Sequence, residues 1–190
     1  KSIEKNPTQL QANYLESAYI ENLGDNNFKV SALPISAQIS PINGITINDF
    51  DLDGNLDALL VGNFYSNEVS YGQNDAFLGL LLKGNGLGGF TTLNHSYSGF
   101  MVNGDARALA RINTNAGELI LASVNNDSVK NFKKEIKDVN TIDFEKGKQS
   151  ATIILENGKQ RKVEIYYGEG YLSQSTKKIL LPQNAEIKYN

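Results

Sequence analysis

The sequence contains no cysteine, which excludes disulfides, thiolate metal sites and thiol nucleophiles together. It contains one histidine, His95, and a single imidazole cannot build a nitrogen-ligated zinc site. His95 sits in Leu93-Asn94-His95-Ser96-Tyr97, has no acid near it in sequence, and reads as an exposed loop residue. No stretch approaches the run of about 18 apolar residues that marks a membrane-spanning helix. Charge of one sign is also scarce: 18 basic and 21 acidic residues leave a net charge of −3. That balance, with no cluster of Lys and Arg, argues against nucleic acid as a partner. The densest basic run, Lys130-Asn131-Phe132-Lys133-Lys134, is followed by Glu135 and reads as solvated surface. The chain opens Lys1-Ser2-Ile3 with neither an initiator Met nor a signal peptide. It is therefore expected to be a processed chain or a piece of something larger.

What is present is a turn-rich β composition. Of 190 residues 40% are apolar, 21% charged and 17 are glycine, a profile of a globular chain and not of a disordered one. The most informative stretch is Asp49-Phe50-Asp51-Leu52-Asp53-Gly54-Asn55-Leu56-Asp57. Carboxylates at alternating positions around a glycine can turn inward on one hard cation, and calcium takes six to eight oxygens at about 2.3–2.6 Å. Glycine at the sixth position permits the sharp turn. The expected ligands are Asp49, Asp51, Asp53 and Asp57, with Asn55 offering its main-chain carbonyl. The competing reading is an acidic turn that only joins two strands.

The flanks decide what kind of loop this is. An EF-hand needs helices on both sides and a Glu at position 12. Here position 12 is Leu60, and both Gly44-Ile45-Thr46-Ile47-Asn48 and Ala58-Leu59-Leu60-Val61-Gly62 carry strand patterns. A calcium in such a hairpin is structural. Replacing Asp53 by Ala is expected to lower stability in calcium, whereas Ala106→Asp, outside any intact loop, is expected to change nothing comparable.

A repeat runs through the first two thirds. Glu21-Asn22-Leu23-Gly24-Asp25-Asn26-Asn27-Phe28 resembles Leu82-Lys83-Gly84-Asn85-Gly86-Leu87-Gly88-Gly89-Phe90, and a weaker third copy ends at Ser128-Val129-Lys130-Asn131-Phe132. Once a polar insertion at 64–76 is set aside, the spacing approaches the period of about 40–50 residues that marks propeller blades. The chain thus divides into a leader at 1–16, helical in part around Gln9 to Leu15, blades at 17–140, and a small β domain at 141–190. The fold class is all-β, with about two and a half blades of a larger propeller. In the second full blade Asn113-Thr114-Asn115-Ala116-Gly117-Glu118 stands where the first has its aspartates, and no calcium is expected there. In the C-terminal part strands are expected at 149–155, 161–167, 175–181 and 186–189. Glu156-Asn157-Gly158-Lys159 supplies a hairpin turn, and Tyr166 to Ser175 forms either a binding lip or a packed corner.

Residues 44–93 resemble an FG-GAP repeat of the VCBS type, the blade unit of integrin-like β-propellers. The resemblance rests on Asp49, Asp51, Asp53, Gly54 and Asp57 and on Gly84-Asn85-Gly86-Leu87-Gly88-Gly89-Phe90. Loops of that family often carry glycine where this chain has Leu52, a position that offers no side-chain ligand. Glu164-Ile165-Tyr166-Tyr167-Gly168 and Tyr171-Leu172-Ser173-Gln174-Ser175 resemble the small β domain called ASPIC/UnbV, which follows VCBS repeats in Bacteroidetes-type surface proteins. The resemblance implies an extracellular or outer-membrane-associated, calcium-binding scaffold, a lipoprotein-like interaction subunit with a protein partner such as an outer-membrane transporter complex. It also implies a ring of about seven blades, more than this chain supplies.

Catalysis is not expected. The concentrated carboxylates are committed to the ion, and His95 has no partner acid. Gly84 to Gly89 leads into a strand, so no helix N-terminus is available for phosphate. Phe64 to Asp75 presents Tyr65 and Tyr71 among small polar residues, which suits protein or carbohydrate contacts or packing on the next blade. An ion held through Glu68 or Asp75 is a lesser alternative. The alternative function is calcium-dependent glycan binding.

Overall fold

The computed structural model describes residues 9–68, 70–114, 117–134, 139–165 and 167–190. They form antiparallel sheets throughout. Strands β1 (Ala18–Gly24) and β2 (Asn27–Ala32) make a hairpin. Strands β3 (Ile42–Asn48), β4 (Asp57–Gly62), β5 (Leu80–Gly84) and β6 (Phe90–Leu93) follow one another in a four-stranded sheet. Strands β7 (Ala106–Thr114), β8 (Gly117–Val124) and β9 (Lys130–Lys134) form a three-stranded sheet in the same sequential order. In the C-terminal part β10 (Val139–Asp143) pairs with β13 (Lys178–Pro182). There β11 (Ser150–Ile154) lies between β12 (Gln160–Glu164) and β14 (Glu186–Tyr189). The fold is all-β, as expected, and the described residues close neither a barrel nor a propeller ring.

Strand β4 explains how the first two sheets build their cores. All six of its residues are buried, because its side chains alternate between two apolar clusters. Leu59 and Val61 join Phe50, Phe100, Val102, Ala106, Leu109, Ile120, Ala122 and Val124. Ala58 and Leu60 join Ala37, Phe77, Leu80 and Leu82. A leucine buried to this degree contributes roughly 1.5–3 kcal/mol. The first cluster packs the β3–β6 sheet on the β7–β9 sheet, and their first strands meet closely. A Cβ on Gly44 would lie 3.1 Å from the Ala108 Cα. A third cluster, Ile153, Leu155, Ile179 and Leu181, holds the C-terminal sheets together.

Several sequence expectations change. Ala106 is 0% exposed within the first cluster, so Ala106→Asp would bury an unpaired carboxylate and is far from silent. Residues 9–15 carry no helix, and 1–8 lie outside the described residues. The basic run at 130–134 is β9, an edge strand with alternating burial, its Phe132 packed 4.8 Å from Phe100. The phenylalanines of the three repeat copies, Phe28, Phe90 and Phe132, each lie in the last strand of their sheet, β2, β6 and β9. His95 opens a one-turn helix, α1 (His95–Ser98), capped by Asn94, with its Nδ1 2.9 Å from the Phe100 carbonyl. Of the turn at 113–118, residues 115 and 116 lie outside the described residues, as does Tyr166.

The segment Tyr166 to Ser175 divides its work. Its serines face β7: Ser173 Oγ donates to the Leu109 carbonyl at 3.0 Å, and Ser175 Oγ accepts the Arg111 N–H at 3.1 Å. Tyr167, Tyr171 and Leu172 remain exposed.

Candidate metal centre

The aspartate loop joins β3 to β4, and its backbone is wrapped by its own side chains. Asp51 Oδ1 accepts the Asp53 N–H at 3.2 Å, and Asp53 Oδ1 accepts the Asn55 N–H at 2.8 Å. Asp49 Oδ2 accepts the Gly54 N–H at 3.0 Å, and Asp57 Oδ2 accepts the Phe50 N–H at 2.9 Å. Gly54 has φ +86°, the conformation glycine adopts without strain. Leu52 has φ +63°, a left-handed position as well. A leucine there costs about 1–2 kcal/mol.

The downstream glycine turn closes over this loop. The Gly84 N–H donates to Asp57 Oδ1 at 2.9 Å. A Cβ on Gly84 would lie 2.1 Å from the Leu56 carbonyl oxygen, and one on Gly86 would lie 2.3 Å from Asn55 Oδ1. Asn85 Oδ1 fixes the turn by accepting the N–H groups of Leu87 and Gly89 at 2.8 and 2.9 Å. Gly88 runs beneath Tyr19 of β1, whose ring meets Phe90 edge-on at 5.6 Å. Glycine is required here because a main-chain carbonyl, an asparagine side chain and an aromatic ring approach the turn at once.

Asp49, Asp51 and Asp57 each place one carboxylate oxygen within 4.8 Å of the others. Asp49 and Asp57 are 2% exposed, whereas Asp51 faces solvent. Two full negative charges that close repel by about 3 kcal/mol even at an effective dielectric of 20, so the group favours protons or a cation. Burial raises the Asp49 carboxyl above its usual range, with Asp53 and Asp51 adding to the effect and Arg161 and the Gly54 N–H opposing it. Burial likewise raises Asp57, against the N–H groups of Gly84 and Phe50.

The Asp53 carboxylate and the Asn55 side chain face other partners. Burial pushes Asp53 upward, but the Asn55 N–H and Lys83 outweigh it and hold the carboxyl below its ordinary value. Lys83 Nζ contacts Asp51 Oδ2 and lies 3.0 Å from Asp53 Oδ2. Lys159 Nζ contacts Asn55 Oδ1 and reaches the Asp53 carbonyl at 3.3 Å. Arg161 forms an ion pair with Asp49 Oδ2 at 3.7 Å. Sequence reasoning missed all three cations, since nothing local marks a lysine or arginine for a distant loop.

One further oxygen bears on the fit to a cation. Asp49 Oδ1 is buried and has no hydrogen-bond partner among protein atoms, an arrangement that costs free energy unless something is bound to it. An all-oxygen set with this charge suits a hard divalent ion such as calcium. Glu68 and Asp75 lie outside the cluster. The insertion that holds them is closed by paired backbone bonds between Phe64 and Asn74, both 3.0 Å, with Val69 outside the described residues.

A second polar residue at the base of that insertion also escaped the sequence reading. Asn63 is fully buried at φ +87°. Its side chain donates to the carbonyls of Phe77 and Gly104 at 2.7 and 2.9 Å and accepts the Phe77 N–H at 2.9 Å. It fastens the insertion to the neck between the two sheets.

Compared with known protein families, curated proteins and solved structures, the chain matches none of them.

Proposed function

We propose that the chain is a non-catalytic, calcium-stabilised scaffold or binding module of the FG-GAP/VCBS type, working at a bacterial cell surface. Residues 17–140 then supply propeller blades, and 141–190 an ASPIC/UnbV-like unit. The blade reading draws support from the order β3-β4-β5-β6, with the acidic loop between the first two strands, and from the β7–β9 sheet stacked on it. The observation that carries the calcium reading is the cluster of Asp49, Asp51 and Asp57 with its unpartnered buried oxygen. Asp53 and the Asn55 carbonyl complete the expected ligand set. When bound, the ion supplies positive charge that converts mutual repulsion into ligation and so stabilises the fold.

The module role rests on exposed aromatic side chains, which suit protein or glycan contacts. Tyr71 at the tip of the insertion and Tyr97 on α1 are both exposed. A protein partner in an outer-membrane transporter complex is the preferred reading, and calcium-dependent glycan binding is the second. Thermal unfolding in about 2 mM calcium, above the dissociation constants of about 10⁻⁴–10⁻³ M typical of extracellular modules, tests the foundation. A rise of several degrees over excess chelator is expected, and identical curves refute it. Affinity capture that recovers an outer-membrane transporter supports the first role. A glycan array positive only in calcium supports the second.

A further inference from the structure

We propose that the C-terminal strands complete the ion site. In this arrangement Arg161 and Lys159 aim the loop's oxygens, and ion binding and the seating of the β11–β12 hairpin reinforce each other. The proposal rests on the reading of the aspartate cluster as a cation site and assigns that site residues far away in sequence.

The two oxygens of Asp49 have different surroundings. Oδ2 takes the Gly54 N–H at 3.0 Å and the Arg161 guanidinium at 3.7 Å, whereas Oδ1 is buried without a partner. A carboxylate pinned by one oxygen presents the other in a fixed direction. Asn55 shows the same division. Its side-chain oxygen is held by Lys159, while the ligand expected of this position is its main-chain carbonyl. Both cations thus sit on oxygens other than the unpartnered Asp49 Oδ1 and the main-chain carbonyl expected of Asn55. They stand to the site as outer partners that fix the ligands without competing for them.

Packing ties the same two elements. A Cβ on Gly54 would lie 2.4 Å from Leu155 Cδ1 and 2.9 Å from Lys159 Cδ, so the turn between β11 and β12 lies directly on the loop. Leu155 belongs to the C-terminal core cluster. A shift of the loop is therefore felt in that core, and a shift of the hairpin is felt at Asp49.

Arg161 exerts two opposed effects on an ion. Its charge repels a second cation, and its pairing orients Asp49. The charge is already balanced by Asp49 Oδ2, so orientation prevails, and loss of an outer partner of this kind typically costs about 10–100-fold in metal affinity. Coupling between ion and hairpin must then be reciprocal.

The test uses the full chain as wild type, Arg161→Gln and Lys159→Met, freed of metal by chelator. Calcium is titrated calorimetrically with circular dichroism as a check of folding, and hydrogen exchange is followed across 150–164 with and without calcium. Expected are one-site binding in wild type, affinity lower by about 10–100-fold in Arg161→Gln, a smaller loss in Lys159→Met, and slower exchange of the hairpin in calcium. Should Arg161→Gln fail to fold, Lys159→Met and the wild-type exchange data still decide. Normal wild-type binding with unchanged or tighter binding in the variants overturns the proposal and leaves the ion reading standing. So does hairpin exchange that ignores calcium. A folded wild type that takes up no calcium overturns the ion reading itself.

Discussion

Replacing Gly84 by Ala should disrupt the aspartate loop from outside it, and the structure sets the scale. Gly84 ends β5, where its N–H donates to Asp57 Oδ1 at 2.9 Å and its Cα faces the Leu56 carbonyl. An alanine Cβ would sit 2.1 Å from that carbonyl oxygen, about 1 Å inside any tolerated contact. The obstacle is main chain, so no rotamer change relieves it, and β5 or the loop must move. Overpacking of this kind costs about 1–3 kcal/mol. Loss of the charge-assisted N–H bond to a buried carboxylate adds about 1.5–3 kcal/mol. Together these come to about 2.5–6 kcal/mol, a large share of the roughly 5–15 kcal/mol that holds a typical domain. Gly147→Ala is the control, because Gly147 has φ +88° and nothing within 4 Å of its Cβ position. It should lose only about 1–2 kcal/mol of backbone strain. Urea unfolding of both variants in chelator, read at constant m-value, gives the comparison. Equal losses in the two would refute the close approach of β5 to the loop.

Three further outcomes follow from the same geometry. Asn63→Ala strands the carbonyls of Phe77 and Gly104 and the Phe77 N–H and should cost about 2–4 kcal/mol in urea unfolding; a loss under about 0.5 kcal/mol would contradict the clamp. Lys83→Met removes an ammonium that contacts Asp51 and Asp53, so calcium should bind severalfold tighter by calorimetry; weaker binding would mean that Lys83 supports the site. The third concerns pH. Burial raises Asp49 and Asp57 above their ordinary value of 3.8, so in chelator their ionisation works against the fold above the raised values. That penalty disappears as pH falls through the raised values, and it is gone below 3.8. Protons and calcium compete for the same oxygens, so the melting-temperature gain from calcium should shrink over that window. A gain that stays constant from neutral pH to about 4 would rule the competition out.

The sequence revealed what is local. The β-branched run before the aspartates and the apolar run after them became β3 and β4, because each pattern has one physical solution at that length. Glu156 to Lys159 became the turn between β11 and β12, and 186–189 matches β14. The glycine turn at 84–89 was legible as a turn, but its reason was not, since Leu56, Asn55 and Tyr19 approach it from elsewhere in the chain. Non-local pairings failed for the same cause. Nothing in Val139–Asp143 announces that it pairs with Lys178–Pro182 and not with β9. Composition counted Arg161, Lys159 and Lys83 as three charges among many, and only the fold brings them to one loop. Leu52 shows the limit from the other side. As a ligand position it is silent, yet its left-handed backbone makes the residue type matter.

The most direct measurement is a calorimetric titration of calcium into the chelator-treated full chain, beside Asp57→Asn. One site with a dissociation constant of about 10⁻⁴–10⁻³ M is expected in the wild type, and its loss in the variant. A correctly folded wild type that gives no binding heat, or an Asp57→Asn variant that binds as well as the wild type, would contradict the assignment of the aspartate loop as the ion site.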